Sequence, residues 1–197
     1  MHEMVQSYFD RVYGPYERDF KKSLSFGANE TYGEIYYYSA LKLLNFLKIS
    51  DKDFFLDVGF GIGKLIFQTF LLTDAATVTG IEINEARYQI ACNIKNKIEQ
   101  ELPHLFQGKR SINLINGDFL EYNLDEITIV YLCCTVFSFE LLRDVGIKLN
   151  SMSSVQKIAS FRKLPHLDNF RLIQRIFVHC SWDKVPCYIY IRTALNE

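Results

Sequence analysis

Asp57-Val58-Gly59-Phe60-Gly61-Ile62-Gly63-Lys64 is the stretch that decides how this chain folds. It follows an apolar run, Phe54 to Val58, and leads into a helical one, Leu65 to Leu72. Glycines at such a junction let the backbone turn sharply and approach a ligand with no side chain in the way. A strand, a glycine turn and a helix in succession are the start of a doubly wound α/β sheet.

Outward from this turn the same rhythm repeats. Further apolar runs lie at Thr77 to Glu82, Ile112 to Ile115 and Ile127 to Leu132, and a second helical stretch covers Glu85 to Gln100. Strands alternating with helices predict a parallel sheet with crossover helices, and continuous apolar runs predict strands buried on both faces. Beyond Asn150 the rhythm changes. Ile158 to Phe161 reads as one more central strand, and Phe170 to Val178 and Cys187 to Arg192 read as two strands joined through a turn at Asp183 to Pro186. The expectation is a mostly parallel, seven-stranded, Rossmann-like sheet closed by an antiparallel strand.

Upstream, Ile35, Tyr38, Leu41, Leu44, Phe46 and Leu47 mark an amphipathic helix, and aromatics at helical spacing before them (Tyr8, Phe9, Tyr13, Tyr16, Phe20) predict a helical arm ending near Gly27. The organisation is therefore an arm over residues 1–30 and one domain over 31–197.

Composition excludes several classes. With 22 Lys and Arg against 23 Asp and Glu, the chain has no global attraction for nucleic acid or an anionic membrane. No apolar run approaches the roughly 20 residues that span a bilayer, and the N-terminus has no signal-peptide pattern. Five scattered cysteines without a CxxC pair read as reduced thiols of a cytoplasmic protein, and no metal site is expected. Late basic residues (Lys157, Arg162, Lys163, His166, Arg171, Arg175) read as a solvated face.

Two acids extend the cofactor signal. Glu82 ends the second strand, where a carboxylate accepts hydrogen bonds from ribose hydroxyls. Asp118 and Phe119 follow the third, where an acid and an aromatic suit an adenine. The dinucleotide fingerprint is G-x-G-x-x-G, whereas Gly59, Gly61 and Gly63 give G-x-G-x-G with Asp57 two residues ahead. Negative charge there is awkward for a pyrophosphate and suits a cationic ligand with an amino group. S-adenosylmethionine, with its sulfonium and α-amine, is the cofactor expected.

Together, Tyr32-Gly33-Glu34, Asp57 to Gly63, Gly80-Ile81-Glu82 and Gly117-Asp118-Phe119-Leu120 resemble the disruptor-of-telomeric-silencing (DOT-type) protein lysine methyltransferases, which lack a SET domain and have the class I methyltransferase fold. The closing Ser181-Trp182 and Tyr188-Ile189-Tyr190 also resemble the compact bacterial members. The resemblance implies that Tyr32 to Ile35 cover the methionine end of the cofactor and that Phe55 to Lys64 cradle it. It further implies that Glu82 binds ribose and that Asp118 and Phe119 contact adenine. The acceptor it implies is a protein lysine side chain.

The sequence departs from the family at Lys64, where glutamine is frequent, at Phe60, where a small residue is common, and at Cys133, where the family has asparagine. Cys133, Thr135 and Phe137 are the candidate residues of the acceptor channel. Cys133 and its neighbour Cys134 also suit plain hydrophobic packing. The altered segment leaves open a methyltransferase acting on a small molecule or RNA. A cofactor-binding module without turnover is the reading from another class.

Overall fold

A computed structural model describes residues 2–23 and 33–193 of the chain. Seven strands, β1 (Phe54–Val58), β2 (Thr77–Glu82), β3 (Ser111–Asn116), β4 (Ile129–Leu132), β5 (Lys157–Ser160), β6 (Phe170–His179) and β7 (Lys184–Arg192), form one sheet in the order β3-β2-β1-β4-β5-β7-β6. The first five are parallel, and β7 runs antiparallel to both β5 and β6. One strand alone opposes the rest, as expected.

Successive side chains on a buried strand enter opposite faces, and here they feed two separate cores. Phe55, Ile129 and Tyr131 join the residues of helices α1 (His2–Ser23), α2 (Tyr37–Leu47), α3 (Lys64–Leu72) and α4 (Glu85–Glu101). Leu56, Val58, Val130 and Leu132 pack on the other face with helix α5 (Phe139–Ser151). No helix among the described residues is long and apolar enough to cross a membrane.

The N-terminal arm is part of the first core. Phe9, Val12 and Tyr13 of α1 are buried there, and Arg11 makes a bidentate ion pair with Glu101 of α4 at 2.9 and 3.1 Å. Its expected end near Gly27 lies outside the described residues.

Three details differ from the expectation. First, α2 begins at Tyr37 and buries Ala40, Leu43, Leu44 and Leu47, while Tyr38 and Phe46 face solvent. Ile35 is not helical: it bridges antiparallel to Cys180, and Tyr36 N–H donates to the His179 carbonyl at 2.9 Å. Second, β7 starts at Lys184, so Pro186 lies in a strand rather than a turn. It pairs with Phe177 beyond the part of β7 that β5 reaches, where its missing N–H breaks no ladder bond to β5.

The third is α5, which the apolar pattern does not announce. Its buried set is Leu142, Val145, Gly146 and Leu149, and exposed Phe139 and Ile147 blur the periodicity. The helix starts at Ser138, whose side chain accepts from Leu141 N–H at 3.1 Å. It approaches the loop after β5 so closely that a Cβ on Gly146 would lie 2.0 Å from the Pro165 carbonyl oxygen. Backbone on both sides leaves no room for relief. Gly146→Ala is therefore expected to cost about 2–3 kcal/mol, a drop in Tm of roughly 4–12 °C for a chain of this size. Urea and thermal melts of the variant check this; an unchanged midpoint would show the contact to be slack.

Candidate cofactor and acceptor site

The strand order reverses between β1 and β4, which lie side by side while their crossovers leave in opposite directions. Doubly wound sheets open a crevice at the carboxyl ends of the strands at such a point. Here that crevice is a cavity of about 670 Å³. Its walls come from the glycine turn after β1, the loops after β2, β3 and β4, a strap at Gly33 to Ile35, and Trp182 from the β6–β7 turn.

The turn after β1 has the left-handed backbone its glycines permit: φ is 78° at Gly59 and 85° at Gly63. Their roles differ. A Cβ on Gly59 would meet nothing, so conformation alone calls for glycine there. A Cβ on Gly63 would lie 2.7 Å from the Phe67 ring, and Gly63 is not in the cavity wall. It starts α3, and a Cβ there would also lie 3.3 Å from Ala91 of α4, so the glycine lets the two helices approach closely. The unusual Phe60 is accommodated by Gly80, whose absent side chain leaves room for the Phe60 ring.

Glu82 is buried and holds the turn in place. One carboxylate oxygen accepts from Gly61 N–H at 2.8 Å and the other from Asn84 N–H at 2.9 Å. Each oxygen keeps a further lone pair for a ligand hydroxyl.

Asp57, at the end of β1, is equally buried, yet its Oδ1 finds no hydrogen-bond partner among the described residues. Burial pushes its carboxyl well above the usual carboxylate range, and the Glu82 charge adds to the shift. An orphaned carboxylate in a ligand-sized cavity calls for a donor or a cation, and an α-amine fits that demand. A pyrophosphate does not.

The strap is tied down at several points. Lys64 pairs with Glu34 while its ammonium lies 5.3 Å from the centre of the Tyr13 ring. Glu34 N–H donates to Ser181 Oγ at 3.1 Å, and Ser181 N–H donates back to the Glu34 carbonyl at 2.8 Å. Gly33 lies flat against Trp182, whose ring would be 2.2 Å from a Cβ at that position. Lys64, in place of the family's frequent glutamine, thus joins α1, the strap and the turn. Tyr32 lies outside the described residues.

Cys133, Thr135 and Phe137 all line the cavity at the end of β4. Burial pushes the Cys133 thiol far up, so it is a protonated group and no thiolate nucleophile. Cys134 is buried and lies 3.1 Å from Ser160 Oγ. Phe137 is held by its backbone: its N–H donates to the Cys134 carbonyl at 3.2 Å, and its carbonyl accepts from the Arg162 guanidinium. Sequence reasoning missed Tyr131, Val136 and Trp182 as walls. Trp182 had a signal in the Ser-Trp pair; Tyr131, inside an apolar strand, had none.

None of the six late basic residues lines the cavity. Lys157 donates to the Leu47 carbonyl at 2.6 Å, Arg162 turns to Phe137, and Arg175 lies over Phe177. Two of the six therefore serve the fold rather than a solvated face.

The family model of "Histone methylation protein DOT1" matches residues 9–179. A Caenorhabditis elegans histone-lysine N-methyltransferase, H3 lysine-79 specific, is 25% identical over 126 residues, which is 61% of this chain and 13% of that protein's length. Among solved structures, an RNA methyltransferase from Salinibacter ruber in complex with S-adenosyl-L-homocysteine has a TM-score of 0.58 at 18% identity, covering 80% of this chain and 93% of that one. A putative tRNA (m1A22) methyltransferase from Streptococcus pneumoniae has a TM-score of 0.58 at 14% identity, covering 80% and 71%. These two likenesses concern the fold.

Asp57 supplies a test with a definite sign. A carboxyl whose folded pKa is raised stabilises the fold below its ordinary pKa of about 4, and that contribution is lost as pH rises through the raised value. Asp57→Asn is expected to remove this loss, so the free protein melts no lower than wild type near pH 7. The same variant is expected to bind S-adenosylmethionine at least about tenfold more weakly, the equivalent of about 1.4 kcal/mol. Wild-type affinity should fall as pH drops through the raised pKa. Calorimetric titration across pH checks this, and undiminished affinity in the variant would rule out the carboxylate as the ligand's partner.

Proposed function

From the premise that this chain belongs to the DOT1 family of histone methylation proteins and has the fold of S-adenosylmethionine-dependent methyltransferases, we propose that it methylates a lysine side-chain amine of a protein. The observation that carries the proposal is the character of the cavity wall. Its acids and bases, Glu34, Asp57, Glu82 and Asp118 with Lys64 and Arg87, lie toward the cofactor on this reading, and the remaining wall includes Tyr131, Val136, Phe137 and Trp182. Aromatic and aliphatic walls suit an amine carried on an apolar stem. A phosphate backbone would call for an excess of basic side chains.

Bound S-adenosylmethionine supplies an activated methyl group, so the chain's own work is binding, orientation and exclusion of water. On this reading Glu82 accepts from ribose hydroxyls, Asp57 from the α-amine, and Asp118 and Phe119 border the adenine. The strap at Gly33 to Ile35, held by Lys64 and Ser181, covers the methionine end. A free lysine amine, with a pKa of about 10.4, is neutral in roughly one molecule in two thousand at pH 7. Entry between Phe137, Tyr131 and Trp182 strips water from the ammonium and favours its neutral form, which carries the lone pair that accepts the methyl group. Cys133 and Thr135 complete this wall as neutral groups.

The acceptor is tested by incubating the protein with methyl-labelled S-adenosylmethionine and either core histones, a lysine-rich protein mixture or total RNA. Label is expected in protein and should be lost when the acceptor lysines are first acetylated. Phe137→Ala is expected to lower kcat/KM about tenfold or more while leaving cofactor affinity within roughly twofold. Label confined to RNA, or absent throughout, would overturn the lysine assignment.

A further inference from the structure

The short 3-10 turn Phe119–Glu121 carries one end of the cavity wall: Asp118 caps it, and both Asp118 and Phe119 line the cavity. The segment is closed on itself. Asp118 Oδ1 accepts from Leu120 N–H at 2.9 Å, and the Tyr122 hydroxyl donates to the Asn116 carbonyl at 3.2 Å. The Tyr122 ring fills the space beside Gly117, 2.5 Å from where a Cβ would stand.

Beyond the Gly117 N–H bond to the Glu82 carbonyl at 3.0 Å and the burial of Phe119, a residue outside the cavity ties this segment to α5. Lys148, in the last turn of α5, donates to the Phe119 carbonyl at 2.6 Å and to the Tyr122 carbonyl at 2.6 Å. Its ammonium lies 4.8 Å from the centre of the Phe119 ring. One cation therefore grips both ends of the turn and its aromatic side chain. Hydrogen bonds from a charged donor are roughly twice as strong as neutral ones, and α5 is anchored through Gly146 at Pro165.

We propose that Lys148 is a positioning residue that sets the nucleobase selectivity of the cofactor site by clamping the Asp118–Phe119 turn. It touches no ligand and acts through residues that do. The proposal rests on the reading of Asp118 and Phe119 as the adenine-facing pair. Burial lowers the pKa of the ammonium while the Asp118 charge opposes that shift. Neutral replacement of Lys148 alters no cavity-lining side chain and removes the two charged hydrogen bonds that hold the turn aiming two of them.

The test compares binding of S-adenosylhomocysteine with that of its inosyl analogue, in which the exocyclic amine of the base is replaced by oxygen. Wild type is expected to prefer the adenosyl ligand at least tenfold. Lys148→Met keeps the apolar stem and removes the charge; it is expected to weaken S-adenosylhomocysteine binding about tenfold and to reduce the preference to within threefold. Lys148→Gln, which retains a donor for one carbonyl, should fall between the two and serves if the methionine variant does not fold. A variant that melts lower but keeps the wild-type preference would make Lys148 merely structural and overturn the proposal. A wild type without preference would overturn it as well. Asp118→Asn separates the underlying reading: an unchanged preference there removes Asp118 as the base contact, while loss of preference in Lys148→Met would still support the clamp, acting through Phe119.

Discussion

Two backbone N–H groups meeting one buried carboxylate hold the site together. Glu82 accepts from Gly61 on one side and Asn84 on the other, and so joins the turn after β1 to the loop after β2. A charge taken out of water is costly unless it is hydrogen-bonded, and each such charge-assisted bond contributes roughly 1.5–3 kcal/mol. The carboxylate thereby fixes the glycine turn in the shape a ligand needs. Phe60 over Gly80 braces the same corner by packing.

Asp57 is the counterpart of that arrangement. It is as buried as Glu82 but has an oxygen that no described residue satisfies. Leaving a buried acceptor unpaired lowers stability, and proteins tolerate such costs mainly at functional sites. The pair differs: Glu82 builds the cradle, and Asp57 keeps an unpaired acceptor, which on the proposed reading takes a donor of the ligand. The elements around them are tied to the same centre. Tyr13 of α1 donates to the Ile62 carbonyl at 3.3 Å, Lys64 grips the strap, and Ser181 grips it from the closing hairpin.

Much of the fold was legible in the chain. β1 and β2 run over the residues their apolar runs announced, because strands buried on both faces leave an unbroken apolar signature. α5 was not legible, since it buries only one stripe and exposes Phe139 and Ile147. The start of α2 was misplaced for a related reason. Ile35 looks like the first apolar position of α2, but its hydrogen-bonding partner strand is about 145 residues away at Cys180, and no local pattern reports such a pairing.

The sequence by itself determined the α/β sheet, the glycine turn, and the acids at the ends of β1, β2 and the loop after β3. Each depends on local backbone geometry and on burial patterns within a few residues. Only the tertiary structure decided which of those residues reach the cavity. Gly63 lies against α4 outside the cavity wall, Lys64 meets Glu34, Tyr131 and Trp182 become walls, and Lys148 grips a turn from outside. These roles come from side chains that are distant in sequence and meet where β1 and β4 part, and the physical reason is contact: neither charge pairing nor close packing exists until the sheet brings the partners within reach.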